Sequence, residues 1–123
     1  MSYANITELP VLKYAAIEQA KFAAAMEATG KKAITTFYAD LSIAEFYGPD
    51  AVRETYGRVL QQWGANVTYW TEFVIALNWK IWDWYEKNDE LATVYNTLWE
   101  QADQHAADTF TGEDSEYFYN MTD

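Results

Sequence analysis

The stretch that decides the fold is Val67-Thr68-Tyr69-Trp70-Thr71-Glu72-Phe73-Val74-Ile75-Ala76-Leu77-Asn78-Trp79-Lys80-Ile81-Trp82-Asp83-Trp84-Tyr85-Glu86-Lys87. At about 100° per residue, Phe73, Trp84, Leu77, Trp70, Ile81, Val74, Tyr85, Trp82 and Ile75 cover roughly 200° of a helix circumference. A helix apolar over that arc touches several neighbours at once, so this one reads as a central hub. Glu72, Lys80, Asp83, Glu86 and Lys87 form the remaining polar strip. Asn78 falls within the apolar arc. A buried amide must be hydrogen-bonded or costs free energy, so it reads as a satisfied core amide fixing helix register, with a ligand contact as the sharper alternative.

Outward from the hub, turn signals divide the chain into further helices. Gly64-Ala65-Asn66 closes one helix and caps the next. Before it, residues 50–64 place Val52, Tyr56, Val59, Leu60 and Trp63 on one face. Gly48-Pro49-Asp50 separates that helix from residues 31–47. There Ile34, Phe37, Tyr38, Leu41, Ala44 and Tyr47 recur at helical spacing, although Ile34-Thr35-Thr36-Phe37-Tyr38 has strand propensity. Helix is the favoured reading. Pro10 and Gly30 bracket an Ala-rich helix over about 10–29, with the thin stripe Val11, Ala15, Phe22 and Met26; residues 1–30 are expected to be loosely attached.

On the other side, Asn88-Asp89 breaks and caps. Residues 90–110 are amphipathic, with Leu91, Tyr95, Leu98, Trp99, Ala102, Ala106 and Phe110 on the apolar face. Thr111-Gly112 stops that helix, and 113–121 reads as a last short one docking through Tyr117, Phe118 and Met121. The expectation is an all-α compact bundle of five or six helices, one domain over 1–123, around the aromatic-rich helix 67–87.

The charge is uneven. The chain of 123 residues carries a net charge of −11. Residues 1–64 hold seven acids and six bases, whereas 65–123 hold twelve acids and two bases. From Asn88 onward there are nine carboxylates and no Lys or Arg. The acids Asp83, Glu86, Asp89, Glu90, Glu100, Asp103, Asp108, Glu113, Asp114 and Glu116 are the candidate partner-binding face. A one-signed surface repels nucleic acid and attracts basic partners. The bland alternative is a solvated face that confers solubility, but such faces mix signs. The five acids of 89–108 span roughly 28 Å at about 1.5 Å per residue, or roughly 6 Å per charge. One DNA strand carries a charge per roughly 3.4 Å, so a nucleic-acid mimic needs the hub strip and the terminal acids on the same surface.

Aromatic residues make up 18% of the chain, and most Trp positions fall on core faces. Tyr69 and Trp79 fall among the hub's charged positions and are candidate exposed anchors. Base stacking is a poor fit, because single-strand binders pair aromatics with a positive groove. A helix-turn-helix reading of the Gly48-Pro49 turn fails for the same reason: Arg53 and Arg58 stand against Asp50 and Glu54.

Nothing locates a reaction. There is one histidine, His105, and no cysteine, so zinc and thiolate chemistry lack ligands. Ala102 stands where a Glu-x-x-His di-iron motif needs its carboxylate. No Ser/His/Asp set, Gly-rich phosphate loop or EF-hand loop is present. No catalytic residue, metal or cofactor is expected, and the protein reads as a non-enzyme. No signal peptide or membrane span is apparent, so the expected location is the cytoplasm.

Three stretches together carry a resemblance. They are Phe37-Tyr38-Ala39-Asp40-Leu41-Ser42-Ile43-Ala44-Glu45 with Ala51-Val52-Arg53-Glu54-Thr55-Tyr56; Thr71-Glu72-Phe73-Val74 with Leu77-Asn78-Trp79-Lys80-Ile81-Trp82; and Val94-Tyr95-Asn96-Thr97-Leu98-Trp99 with Tyr117-Phe118-Tyr119 and Thr122-Asp123. Over residues 34–123 the chain resembles an uncharacterised family of short acidic proteins carried on conjugative and other mobile elements of anaerobic gut bacteria. The resemblance implies a mobile-element setting and no site residues. By analogy, the expected function is an acidic inhibitor that occupies the basic cleft of a nucleic-acid-binding protein, such as an anti-restriction or anti-CRISPR protein acting on a host defence nuclease. The alternative is a structural or adaptor protein acting through aromatic contacts or as a homo-oligomer.

Overall fold

The computed structural model describes residues 32–87 and 89–122; the expected helix at 10–29 lies outside the described residues. Five helices pack against one another: α1 (Ala33–Glu45), α2 (Pro49–Trp63), α3 (Val67–Trp84), α4 (Glu90–Thr109) and α5 (Gly112–Thr122). Among the described residues there is no strand. Neighbours in sequence run antiparallel, so α1, α3 and α5 point one way and α2 and α4 the other. The side-chain pairs give this direction. Phe37 meets Phe73 and Glu45 meets Trp84, which makes α1 and α3 parallel. Trp70 bonds Ala102, while the far end of α3 meets Tyr95 through Glu45, which makes α3 and α4 antiparallel.

α3 is the hub, packed against α1, α4 and α5 and touching α2. Its Trp70, Phe73, Val74, Ala76 and Leu77 are fully buried, with Phe37 and Leu41 of α1, Val52 and Trp63 of α2, Tyr95 of α4 and Phe118 of α5. α1 is helical despite its β-branched start because Ala33, Ile34, Phe37, Leu41 and Ala44 then fall on one buried face. That burial outweighs local propensity worth tenths of a kcal/mol per residue.

The turns follow their chemistry. Gly48 has φ +107°, a left-handed conformation that glycine adopts without strain, and Pro49 opens α2. Gly64 ends α2 where a Cβ would stand 2.5 Å from the Leu60 carbonyl oxygen and 3.0 Å from His105 Nε2. Asn66 caps α3, its Oδ1 accepting from the Tyr69 amide at 3.1 Å. Asn66→Ala is expected to cost about 1 kcal/mol, measured as a lower urea midpoint with an unchanged slope.

The hub's orientation differs from the sequence reading in three places. Lys80, assigned to the polar strip, is 3% exposed. Asn78, assigned to the core, is exposed. Trp82 and Tyr85, assigned to the apolar arc, are 66% and 64% exposed. The reason is the unequal length of the neighbours. α5 has 11 residues against 18 in α3, and its last residues, Met121 and Thr122, reach only the level of Val74, Ile75 and Asn78. Among the described residues, the turns of α3 beyond that level have no helix packed on this side. On the α1 side the core continues to the helix end, and Lys80 faces into it.

Candidate binding surface

At the end where α1 and α3 finish and α4 begins, a polar cluster gathers around the buried Lys80 and Tyr95 and reaches the surface at Asp83. Glu45 Oε2 accepts three donors from two other helices: Lys80 Nζ at 2.9 Å, Tyr95 Oη at 2.6 Å and Trp84 Nε1 at 3.1 Å. Lys80 also donates to Ser42 Oγ at 2.5 Å and sits 4.2 Å from the centre of the Tyr38 ring. The Tyr38 hydroxyl donates to Asp83, and its ring meets Trp79 edge-on at 6.0 Å. The sequence reading missed this cluster. The available signal was a lysine flanked by Trp79 and Ile81 on a helix that is apolar nearly all round.

The cluster constrains its tyrosines. Burial and the bond to Glu45 hold the Tyr95 hydroxyl far above the ordinary value of 10. The Asp83 bond, with burial, raises Tyr38 to about 12, and burial raises Tyr56 to about 12. These folded-state values lie above the unfolded value, so their stabilising contribution is complete below pH 10 and is lost as pH rises toward 12. Thermal midpoints taken from neutral pH to pH 12 should fall from about pH 10 upward. Tyr95→Phe should flatten that fall while lowering the midpoint at neutral pH. Glu72 is also raised, by burial, with Lys32 opposing.

The candidate acids are distributed in two groups. Asp83, Glu86, Asp89 and Glu90 gather where α3 gives way to α4; Asp108, Glu113, Asp114 and Glu116 gather where α4 gives way to α5. Glu100 and Asp103 lie between them on α4. From Glu90 to Asp108 the helix rises about 27 Å. All ten are exposed except Asp103, which is half-buried. Several also serve their helices. Asp89 caps α4, accepting from the Leu91 and Ala92 amides at 2.9 and 3.3 Å, and Glu90, Glu113 and Asp114 sit in first turns, where a negative charge favours the helix dipole. Asp108 accepts from Gln104 at 2.9 Å.

The hub strip does not form a second row beside α4. Lys80 is inside the core, Glu72 is half-buried, and Asp83 is held by Tyr38 of α1. Glu86 lies just past the end of α3 and is exposed. The ion pairs among the described residues are Arg53–Asp50, Arg58–Glu54 and Lys80–Glu45. None involves the ten candidate acids.

Of the two candidate anchors, Trp79 is 46% exposed, and Tyr69 is half-buried against Trp63 at 5.0 Å. Trp82 and Tyr85 are more exposed than either. His105 is structural: a carbonyl only accepts, so its Nε2–H donates to Gly64 at 2.8 Å, and its ring meets Trp70 at 4.9 Å. Asn78, exposed, borders a small cleft with Trp99 and Met121. Among the described residues no group of His, Cys, Asp or Glu could hold a metal ion, and no helix is long and apolar enough to cross a membrane. Compared with protein-family models, with curated proteins and with solved structures, the chain matches none.

Proposed function

We propose that the protein is a non-enzymatic acidic binding protein that docks on the basic surface of a nucleic-acid-binding protein. The observation that carries this reading is the separation of charge. Three of the five described cations pair with Glu45, Asp50 and Glu54, while the ten candidate carboxylates have no cationic partner among the described residues. Their field is therefore not neutralised by the described cations, and it draws a basic partner over a range set by ionic strength. The resemblance to mobile-element proteins extends the proposal to inhibition of a host defence nuclease. Cleft occupation by charge at two ends, and not continuous mimicry of a strand, is the form that suits two groups of acids about 27 Å apart.

Restriction and CRISPR nucleases mixed with the protein should lose DNA cleavage at low salt and regain it at high salt. Glu100→Lys with Asp103→Lys and Asp108→Lys should weaken binding on the order of 100-fold, at about 1 kcal/mol per reversed charge at a rim. Full cleavage at every salt concentration across the panel would remove the nuclease reading. A second reading, a homo-oligomeric adaptor, is favoured by the exposed Trp79, Trp82 and Tyr85. Sedimentation decides it: that reading requires a dimer that persists in high salt.

A further inference from the structure

We infer that the uncovered end of α3 is a guanidinium-docking surface, on which arginine side chains of the basic partner stack against Trp82 and Tyr85 and pair with Asp83 and Glu86. This rests on the proposed binding of a basic partner and names the side chain it presents. The surface is a cleft of about 430 Å³ lined by Trp82, Asp83, Tyr85, Glu86 and Lys87. The Trp82 and Tyr85 rings lie 5.6 Å apart and tilted by 45°. Trp79 precedes Trp82 by three residues, and Trp82 precedes Tyr85 by three and Glu86 by four, the spacings that bring helix side chains together. Aromatic faces and carboxylates thus alternate along one exposed edge.

Charge complementarity selects the occupant. An apolar partner would bury the Glu86 carboxylate, and the charge of Asp83 that the neutral Tyr38 hydroxyl leaves in place, without a cation to pair with them, which is strongly unfavourable. Nucleic acid would meet like charge. A cation satisfies both components, because its charge pairs with the carboxylates and its face lies on the rings. Lys87 displays the preference within the chain: its ammonium rests 4.6 Å from the centre of the Trp84 ring. Arginine fits better than lysine, since a planar guanidinium stacks and donates in pairs, whereas an ammonium is a hydrated point charge.

The test titrates the full chain by calorimetry with two peptides of equal length and charge, one carrying arginines and one lysines. The arginine peptide should bind several-fold more tightly. Trp82→Ala with Tyr85→Ala, both at exposed positions and checked for helicity, should weaken it about tenfold and erase the preference. Glu100→Lys with Asp103→Lys should weaken both peptides alike. Equal binding of the two peptides, or unchanged arginine binding after the aromatic substitutions, would overturn the inference and leave the acidic-binder reading standing. Failure of both peptides to bind at low salt would remove both. A dimer dissolved by the aromatic substitutions would assign the surface to a second copy of the chain and overturn the inference.

Discussion

Lys80→Met is expected to destabilise the bundle by about 3–5 kcal/mol, a fall in thermal midpoint on the order of 15 °C for a chain of this size. The methionine fills most of the lysine's volume, so the loss is electrostatic. Without the ammonium, the Glu45 carboxylate remains inside the bundle with only the Tyr95 hydroxyl and the Trp84 indole as donors. Neither donor carries charge. Removing both charges tests this directly. Glu45→Gln added to Lys80→Met leaves an amide oxygen to accept from Tyr95 and should recover at least half of the loss. A double variant no more stable than Lys80→Met would show that the ion pair is not the source.

Trp70→Ala should cost about 3–5 kcal/mol through the cavity it opens. Trp70 has no exposed surface and packs against Tyr56 at 5.9 Å, Phe73 at 5.4 Å and His105 at 4.9 Å, joining three helices. Its indole also donates to the Ala102 carbonyl at 3.1 Å. Domains of this kind are stable by about 5–15 kcal/mol, so the variant should sit near or below the folding threshold. Trp70→Phe keeps a ring and gives up the hydrogen bond, and should cost about 1–2 kcal/mol. Urea titrations with an unchanged slope would confirm that stability, and not the cooperativity of the bundle, has moved.

The helices were legible because their boundaries rest on local chemistry. Gly48-Pro49, Gly64 to Asn66, Asp89 and Gly112 act within a few residues of themselves, and each lies at an observed helix end. The orientation of the hub was less legible. Periodicity gives the apolar arc of α3 but not how far each neighbour extends along it. Trp82 and Asn78 depend on where α5 stops, and Lys80 depends on Glu45 and Ser42, 35 and 38 residues away in sequence. A lysine is placed outside by any composition rule, because only a partner elsewhere in the chain makes its burial affordable. The candidate acids were readable as exposed, since polar positions opposite an apolar face point outward. The bond that Asp83 accepts from Tyr38 was not, because it depends on how α1 packs along α3.

Glu45 also bears on the order in which the chain assembles. Its bonds reach 39 residues to Trp84 and 50 to Tyr95, whereas the hairpins α1–α2 and α3–α4 close over a few residues. Loop closure over a longer stretch costs more entropy, so the clamp at Glu45 is expected to close after the hairpins have formed. Interactions absent from the folding transition state act on the rate of unfolding. The buried ion pair would then contribute little to how fast the bundle forms and much to how long a formed bundle persists.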